Sequence, residues 1–381
     1  MSDSLFKIFA FLFLISTGCS HRASKTVHPE KCESMPISYA KGFRIDEFQG
    51  YKKITILSPW QKSEGVSLEY YLLPRSKEIP SELKGKQIIR TPVQKIICLS
   101  TSHIGFLRAL GKTSSLIGLS GADLVSDTTV QRAIKENRVK DVGYDQGLNY
   151  ETILALKPDL IMAYGVGGEV TGVINKLKDL KLNVILNGEY LEKTPLAKTE
   201  WIKLVGVLFD KEKEATEYFT NIEKKYLQEK NEVAKVNFHP LVLTGLPFKD
   251  SWWMAGGNSN LAQLITDAGG EFIWKDNTSS EAFVVSLEDV IVRAAKADYW
   301  INCGTVNSIS ELLAADNRFS SFPQVKKGTI YNNNLAVNKS GGNDYWENGV
   351  IRPDLVLSDL IKIFHPEIDS TRNFNFYKKI N

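Results

Sequence analysis

Four cysteines in 381 residues, Cys19, Cys32, Cys98 and Cys303, are too few and too scattered for a disulfide framework, and no C-x-x-C pair offers a zinc or redox site. Cys98 sits in a buried-looking strand and reads as a small core residue. The five histidines, His21, His28, His103, His239 and His365, contain no H-E-x-x-H and no close pair, which excludes a simple histidine-chelated metal. Charge of one sign is also missing: 47 basic against 44 acidic residues are spread along the chain, so there is no basic face for nucleic acid. No Ser-His-Asp order, nucleophile elbow or clustered carboxylate pair can be assembled. Gly111-Lys112-Thr113 is not a phosphate loop, because Phe106 stands where that loop needs glycine. Gly165, Gly167 and Gly168 lack the third glycine of a dinucleotide fingerprint and read as a tight loop.

What is present begins with an export signal. Lys7 precedes the apolar run 8–15, far too short to span a bilayer but suited to a signal peptide over residues 1–18. Ser16-Thr17-Gly18-Cys19 resembles a bacterial lipobox, with Ser16 where a branched aliphatic residue is usual, and marks Cys19 for lipidation. Residues 19–35 then read as anchor and tether. Residues 43–90 show short alternating strands separated by Pro and Gly, an antiparallel decoration on the first of the lobes described next. Trp60, beside a turn there, is a candidate for ligand contact or for packing.

From residue 95 strands alternate with helices, which predicts largely parallel sheets covered by helices. The run 210–236 reads as one long polar helix capped by Asp210, with a single apolar stripe from Ala215 to Val233 and no Pro or Gly inside. It divides two similar units. In 149–162 and again in 286–301, a good N-cap, Asn149 or Ser286, is followed two residues later by Glu151 or Glu288, and a strand ends the unit. The expected organisation is an α/β protein of two Rossmann-like lobes, 36–209 with its β-rich extension and 237–381, joined by a rigid helix at 210–236.

In parallel sheets ligands sit beyond the carboxyl ends of strands, here residues 100–103, 120–123, 164–168 and 188–190. His103 and Tyr164 fall in these segments, and His103 is a candidate ligand contact or axial ligand to haem-type iron. Trp252, Trp253, Trp274, Tyr345 and Trp346, with Arg352, suit a large flat ligand, anionic in charge, or else a second core.

Residues 94–366 resemble the helical-backbone (class III) solute-binding proteins of ABC importers. The resemblance rests on the strand 95–100, on 116–120, on the Glu151 segment 149–161, on 267–270 and on Ser286-Leu287-Glu288. It implies a membrane-anchored, monomeric, non-enzymatic receptor in the periplasm or cell envelope. It also implies no intrinsic cofactor or resident metal, and a ligand that is an iron complex such as a ferric siderophore, or haem or cobalamin, taken from the cleft to an ABC permease. It further implies that Glu151 and Glu288 dock onto permease arginines. Two other classes remain: a nucleotide-sugar-dependent enzyme with an inter-lobe active site, and a surface adaptor with no small-molecule ligand.

Overall fold

The computed structural model describes residues 31–381 apart from 145–146, 249–250, 369–370 and 372. The expected signal peptide, Cys19, His21 and His28 lie outside the described residues. Among those residues no helix is long and apolar enough to cross a membrane.

The described residues open with five strands lying side by side in order: β1 (Lys31–Ser34), β2 (Phe43–Phe48), β3 (Tyr51–Leu57), β4 (Ser67–Pro74) and β5 (Ile88–Thr91), so the end of the expected tether 19–35 is instead a strand, held by its pairing with β2. The first four pair antiparallel, while β5 joins β4 in parallel. This sheet is more than the decoration expected from its short strands. The period of two puts Ile45, Ile54, Ile56, Tyr70 and Leu72 on one face, and they share a single core with Ile96, Cys98, Trp201 and Val205 of the first lobe. Two carboxylates pin the approach to it. Glu200 accepts the backbone N–H groups of Ser38 (2.8 Å), Tyr39 (2.7 Å) and Ala40 (2.8 Å), and Glu192 takes those of Lys41 and Gly42, both at 2.9 Å.

The first lobe contains β6 (Ile96–Cys98), α1 (Ser102–Ala109), β7 (Leu116–Leu119), α2 (Thr128–Lys135), β8 (Lys140–Asp141), α3 (Tyr150–Leu156), β9 (Leu160–Ala163), α4 (Val170–Asp179) and β10 (Val184–Leu186). Its strands are all parallel in the order β10-β9-β6-β7-β8, so the winding reverses at β6. Asn149 caps α3 by accepting the Thr152 N–H at 2.9 Å, as its position predicts.

Helices α5 (Pro195–Glu200) and α6 (Ile202–Leu208) lead to α7 (Glu212–Glu232), about 30 Å long at 1.5 Å per residue. The strut is shorter than 210–236. Asp210 is in the left-handed region (φ 53°) and Lys211 takes the cap position, because the chain must reverse sharply after α6. Gly206 permits that reversal: a Cβ there would lie 2.6 Å from the Ala215 side chain. Along α7 the buried stripe changes partner, with Ala215 and Phe219 in the first core and Tyr226 in the second. One helix therefore belongs to both lobes.

The second lobe contains β11 (Leu241–Thr244), β12 (Pro247–Phe248), β13 (Ser251–Met254), α8 (Asn260–Asp267), β14 (Glu271–Phe272), β15 (Phe283–Val285), α9 (Leu287–Ala294), β16 (Tyr299–Ile301), α10 (Ile309–Ala315), α11 (Pro323–Lys327), β17 (Ile330–Asn332), α12 (Asp344–Asn348), α13 (Pro353–Phe364) and β18 (Lys378–Lys379). Its main sheet runs β14-β11-β16-β17-β18, parallel except for the edge strand β18. The double-tryptophan strand β13 is outside it, in a small antiparallel sheet with β12 and β15.

Besides α7, the segment around α12 crosses back to the first lobe. Asn338 Nδ2 donates to the carbonyls of Asp123 and Val125, both at 2.9 Å, and Thr199 Oγ1 donates to that of Val350 at 2.7 Å. Gly105 in α1 makes room for α12, since a Cβ there would lie 2.4 Å from the Glu347 carbonyl oxygen.

Candidate ligand-binding cleft

The reversal of strand order at β6 leaves a crevice beyond the carboxyl ends of β6 and β9, where neighbouring connections diverge. A cleft of about 580 Å³ occupies that place, within the range of small-molecule sites. One wall comes from the first lobe: Ser100, Thr101 and Ser102 after β6, Tyr164 and Val166 after β9, and Glu189 and Tyr190 after β10. The facing wall comes from the second lobe, with Ser259 and Asn260 at the start of α8, Asn302 after β16, and Tyr345 and Trp346 on α12. A second groove along α7, from Thr220 to Glu232, is lined by that helix alone and has no opposing wall among the described residues.

The loop after β9 is fixed from two sides. Tyr190 Oη donates to the Gly165 carbonyl at 2.6 Å, and the Gln61 N–H donates to that of Val166 at 3.0 Å. Gly165 is required, since a Cβ would fall 2.1 Å from that of Val170. Gln61 thereby brings the β3–β4 hairpin to the cleft, where it joins the wall, and neighbouring Trp60 packs on the core around Val170.

Of the residues singled out in the sequence, Tyr164, Tyr345 and Trp346 line the cleft. Five others are placed differently, among them Trp274, which is buried in the second core. His103 points into the core, 1% exposed, with its ring 6.4 Å from that of Tyr164. Burial pulls its pKa down to about 3, so the ring is neutral, and Nδ1 finds no partner among the described residues. Trp252 is a core residue stacked 6.0 Å from Trp300, with its indole N–H donating to the Thr244 carbonyl at 3.1 Å. Its neighbour Trp253 is 56% exposed because successive strand residues face opposite ways, and it is outside the cleft wall. Arg352 forks onto Asp354 with two contacts of 2.8 Å and is also outside it. The expected segment 120–123 serves the inter-lobe contact rather than the cleft.

Sequence reasoning missed Gln61, Asn260 and Asn302. The strand-end rule covered Glu189; nothing local marked Gln61, which arrives from a hairpin outside the lobe. Glu151 and Glu288 are both exposed in the first turns of α3 and α9. Among the described residues no cluster of three or more His, Cys, Asp or Glu is placed to hold a metal.

Two α/β lobes sharing one helix, with a ligand-sized cleft at the strand ends, define a two-lobed solute-binding protein. Residues 96–333, more than half the chain, match the periplasmic binding protein family, and the chain belongs to it. An uncharacterized lipoprotein of Methanocaldococcus jannaschii is 26% identical over 328 residues, covering 82% of this chain and 76% of its own. A second from the same organism is 25% identical over 372 residues, covering 92% and 90%. Among solved structures, a periplasmic heme binding protein from Pseudomonas aeruginosa aligns with TM-score 0.59 at 17% identity, over 76% of this chain and 98% of that one. An ABC-type Fe3+-hydroxamate transport protein from Saccharomonospora viridis gives 0.55 at 20% identity, over 72% and 94%. A periplasmic vitamin B12 binding protein from Vibrio cholerae gives 0.52 at 16%, over 74% and 99%. These structures are almost wholly covered while a quarter of this chain is left over, and the family match begins only after β5.

Proposed function

We propose that this protein is the substrate-binding lipoprotein of an ABC importer, anchored through Cys19 after removal of residues 1–18 and held off the membrane by the segment between Cys19 and β1. It captures an iron complex, first among them a ferric siderophore and then haem or cobalamin, between the lobes 36–209 and 237–381. It delivers that ligand to the permease without catalysing a reaction. The observation that carries this reading is the cleft at the strand-order reversal, walled by both lobes. Glu151 and Glu288, at matched positions one per lobe, dock onto permease cations. Exposed pairs are each worth only about 0–1 kcal/mol, so they set orientation while allowing release.

Trp346, 62% exposed on the cleft wall, provides the assay. Titrating the purified protein with ferric siderophores, haemin and cyanocobalamin, with correction for ligand absorbance, yields saturable tryptophan quenching by one class at micromolar concentration or below. Trp346→Phe removes most of the signal. No saturable response to any of these ligands overturns the receptor reading.

A further inference from the structure

The ligands named for the solved neighbours differ in charge as much as in shape, and a shared fold does not choose among them. The charges in this cleft do. Among the described residues its wall contains no arginine. Arg352, the cation expected there, is committed to Asp354. Of the two lysines in the wall, Lys198 stands 3.3 Å from the Glu189 carboxylate and Lys193 is exposed. Against them are three carboxylates, Glu189, Glu192 and Glu281. Glu192 already accepts the Gly42 N–H at 2.9 Å and the Trp201 indole N–H at 3.0 Å.

Two buried polar atoms in the wall also lack hydrogen bonds among the described residues. One is Oε2 of Glu189, a residue only 7% exposed, whose neighbour of opposite charge is the Lys198 ammonium at 3.3 Å, without hydrogen-bond geometry; the other is Nδ2 of Asn260 across the cleft. The wall thus offers a buried acceptor and a buried amide donor on a slightly negative background. An anionic ligand stripped of water needs a cation. Lys198 could supply one only by leaving Glu189 buried and unpaired, so the attraction gained is offset by the charge abandoned.

We propose, resting on the receptor reading above, that the cleft accepts uncharged or cationic iron–hydroxamate complexes and rejects anionic chelates. A hydroxamate carries a single negative charge, so the set that fills the coordination sphere of ferric iron leaves the complex neutral. Its amide-like carbonyls suit the Asn260 donor, and any free ammonium group suits Glu189. Catecholates carry twice that charge and leave a polyanion; haem carries two propionates.

The test compares ferrioxamine B, whose free amine makes the complex cationic, with its N-succinyl derivative, in which the same amine carries a carboxylate. The iron centre is unchanged and only the charge is reversed. Ferrichrome, ferric enterobactin, haemin and cyanocobalamin complete the set. Ferrioxamine B or ferrichrome binding at least tenfold more tightly than the succinyl derivative and enterobactin is the expected result, roughly the discrimination that like-charge juxtaposition yields. Glu189→Gln, which releases Lys198, narrows the preference, and Lys198→Gln widens it. Equal or tighter binding of the anionic chelates overturns the charge assignment, and binding of haemin or cyanocobalamin without the hydroxamates overturns the hydroxamate assignment; either leaves the receptor reading standing. Binding of none of them overturns the receptor reading itself.

Discussion

The Glu347 carboxylate of α12 accepts the backbone N–H of Ser126 at 2.7 Å and that of Asp127 at 2.9 Å, tying the second lobe to the start of α2 in the first. Burial raises its pKa to about 7, outweighing those two donors, and nearby Asp344 and Asp127 raise it further. The folded state therefore holds this proton more tightly than the unfolded chain, whose ordinary value is 4.5. The contribution of Glu347 to stability is fully present below about 4.5 and declines as pH rises through 7. Across that window it amounts to roughly 2–3 kcal/mol. Glu347→Gln, which cannot ionise, should show a smaller fall in Tm between pH 5 and pH 8 than the wild type. Parallel Tm profiles would show that the buried carboxylate does not titrate there.

Gly105→Ala tests the same contact sterically. The new Cβ would sit 2.4 Å from the Glu347 carbonyl oxygen, a backbone atom that cannot swing away. We expect a loss of about 1–3 kcal/mol in urea unfolding. An unchanged midpoint would mean that α1 and α12 separate without cost.

Trp252 and Trp253 are adjacent and opposite in environment. Trp252→Ala removes a ring buried against Trp300 and Phe319 and should cost about 3–5 kcal/mol. Trp253→Ala, more than half exposed, should change stability by no more than about 0.5 kcal/mol. Similar losses for both would contradict the strand register of β13.

Gln61 predicts that the β3–β4 hairpin takes part in binding. Gln61→Ala keeps the backbone bond to Val166 and deletes only the side chain on the cleft wall. Affinity for the chelate that quenches Trp346 should fall about three- to tenfold, in line with one lost hydrogen bond, with Tm unchanged. Full affinity would confine the hairpin to support of the loop.

The proposed docking role of Glu151 and Glu288 makes docking separable from capture. Glu151→Ala with Glu288→Ala, both exposed and outside the cleft wall, should leave ligand affinity within about twofold while reconstituted permease transport is abolished. Weakened ligand binding in that double variant would count against the docking assignment.

Much of this protein could be read from local pattern. Strand and helix alternation, the caps Asn149 and Ser286, Pro353 opening α13 and the stripe on α7 depend on residues a few positions apart, and the structure has each of them. The strand-end rule likewise placed Ser100, Tyr164 and Tyr190 at the cleft. What failed was distinguishing a wall from a core. Aromatic content made Trp252 and Trp346 equal candidates, and only strand register and the packing of Trp300 separated them. His103 looked cleft-facing because it comes after β6, but the first turn of α1 rotates its ring inward while Ser100, Thr101 and Ser102 line the cleft.

The sequence by itself determined most elements of the two lobes, their order and the class of fold, because hydrophobic period and capping are short-range properties. Only the tertiary structure decided that the leading sheet shares the first lobe's core, that Gln61 reaches the cleft from that sheet, and that Lys198 and Arg352 are already taken by Glu189 and Asp354. Burial and charge pairing in three dimensions join residues up to hundreds of positions apart, as Glu347 joins Ser126, and no periodicity along the chain encodes that distance.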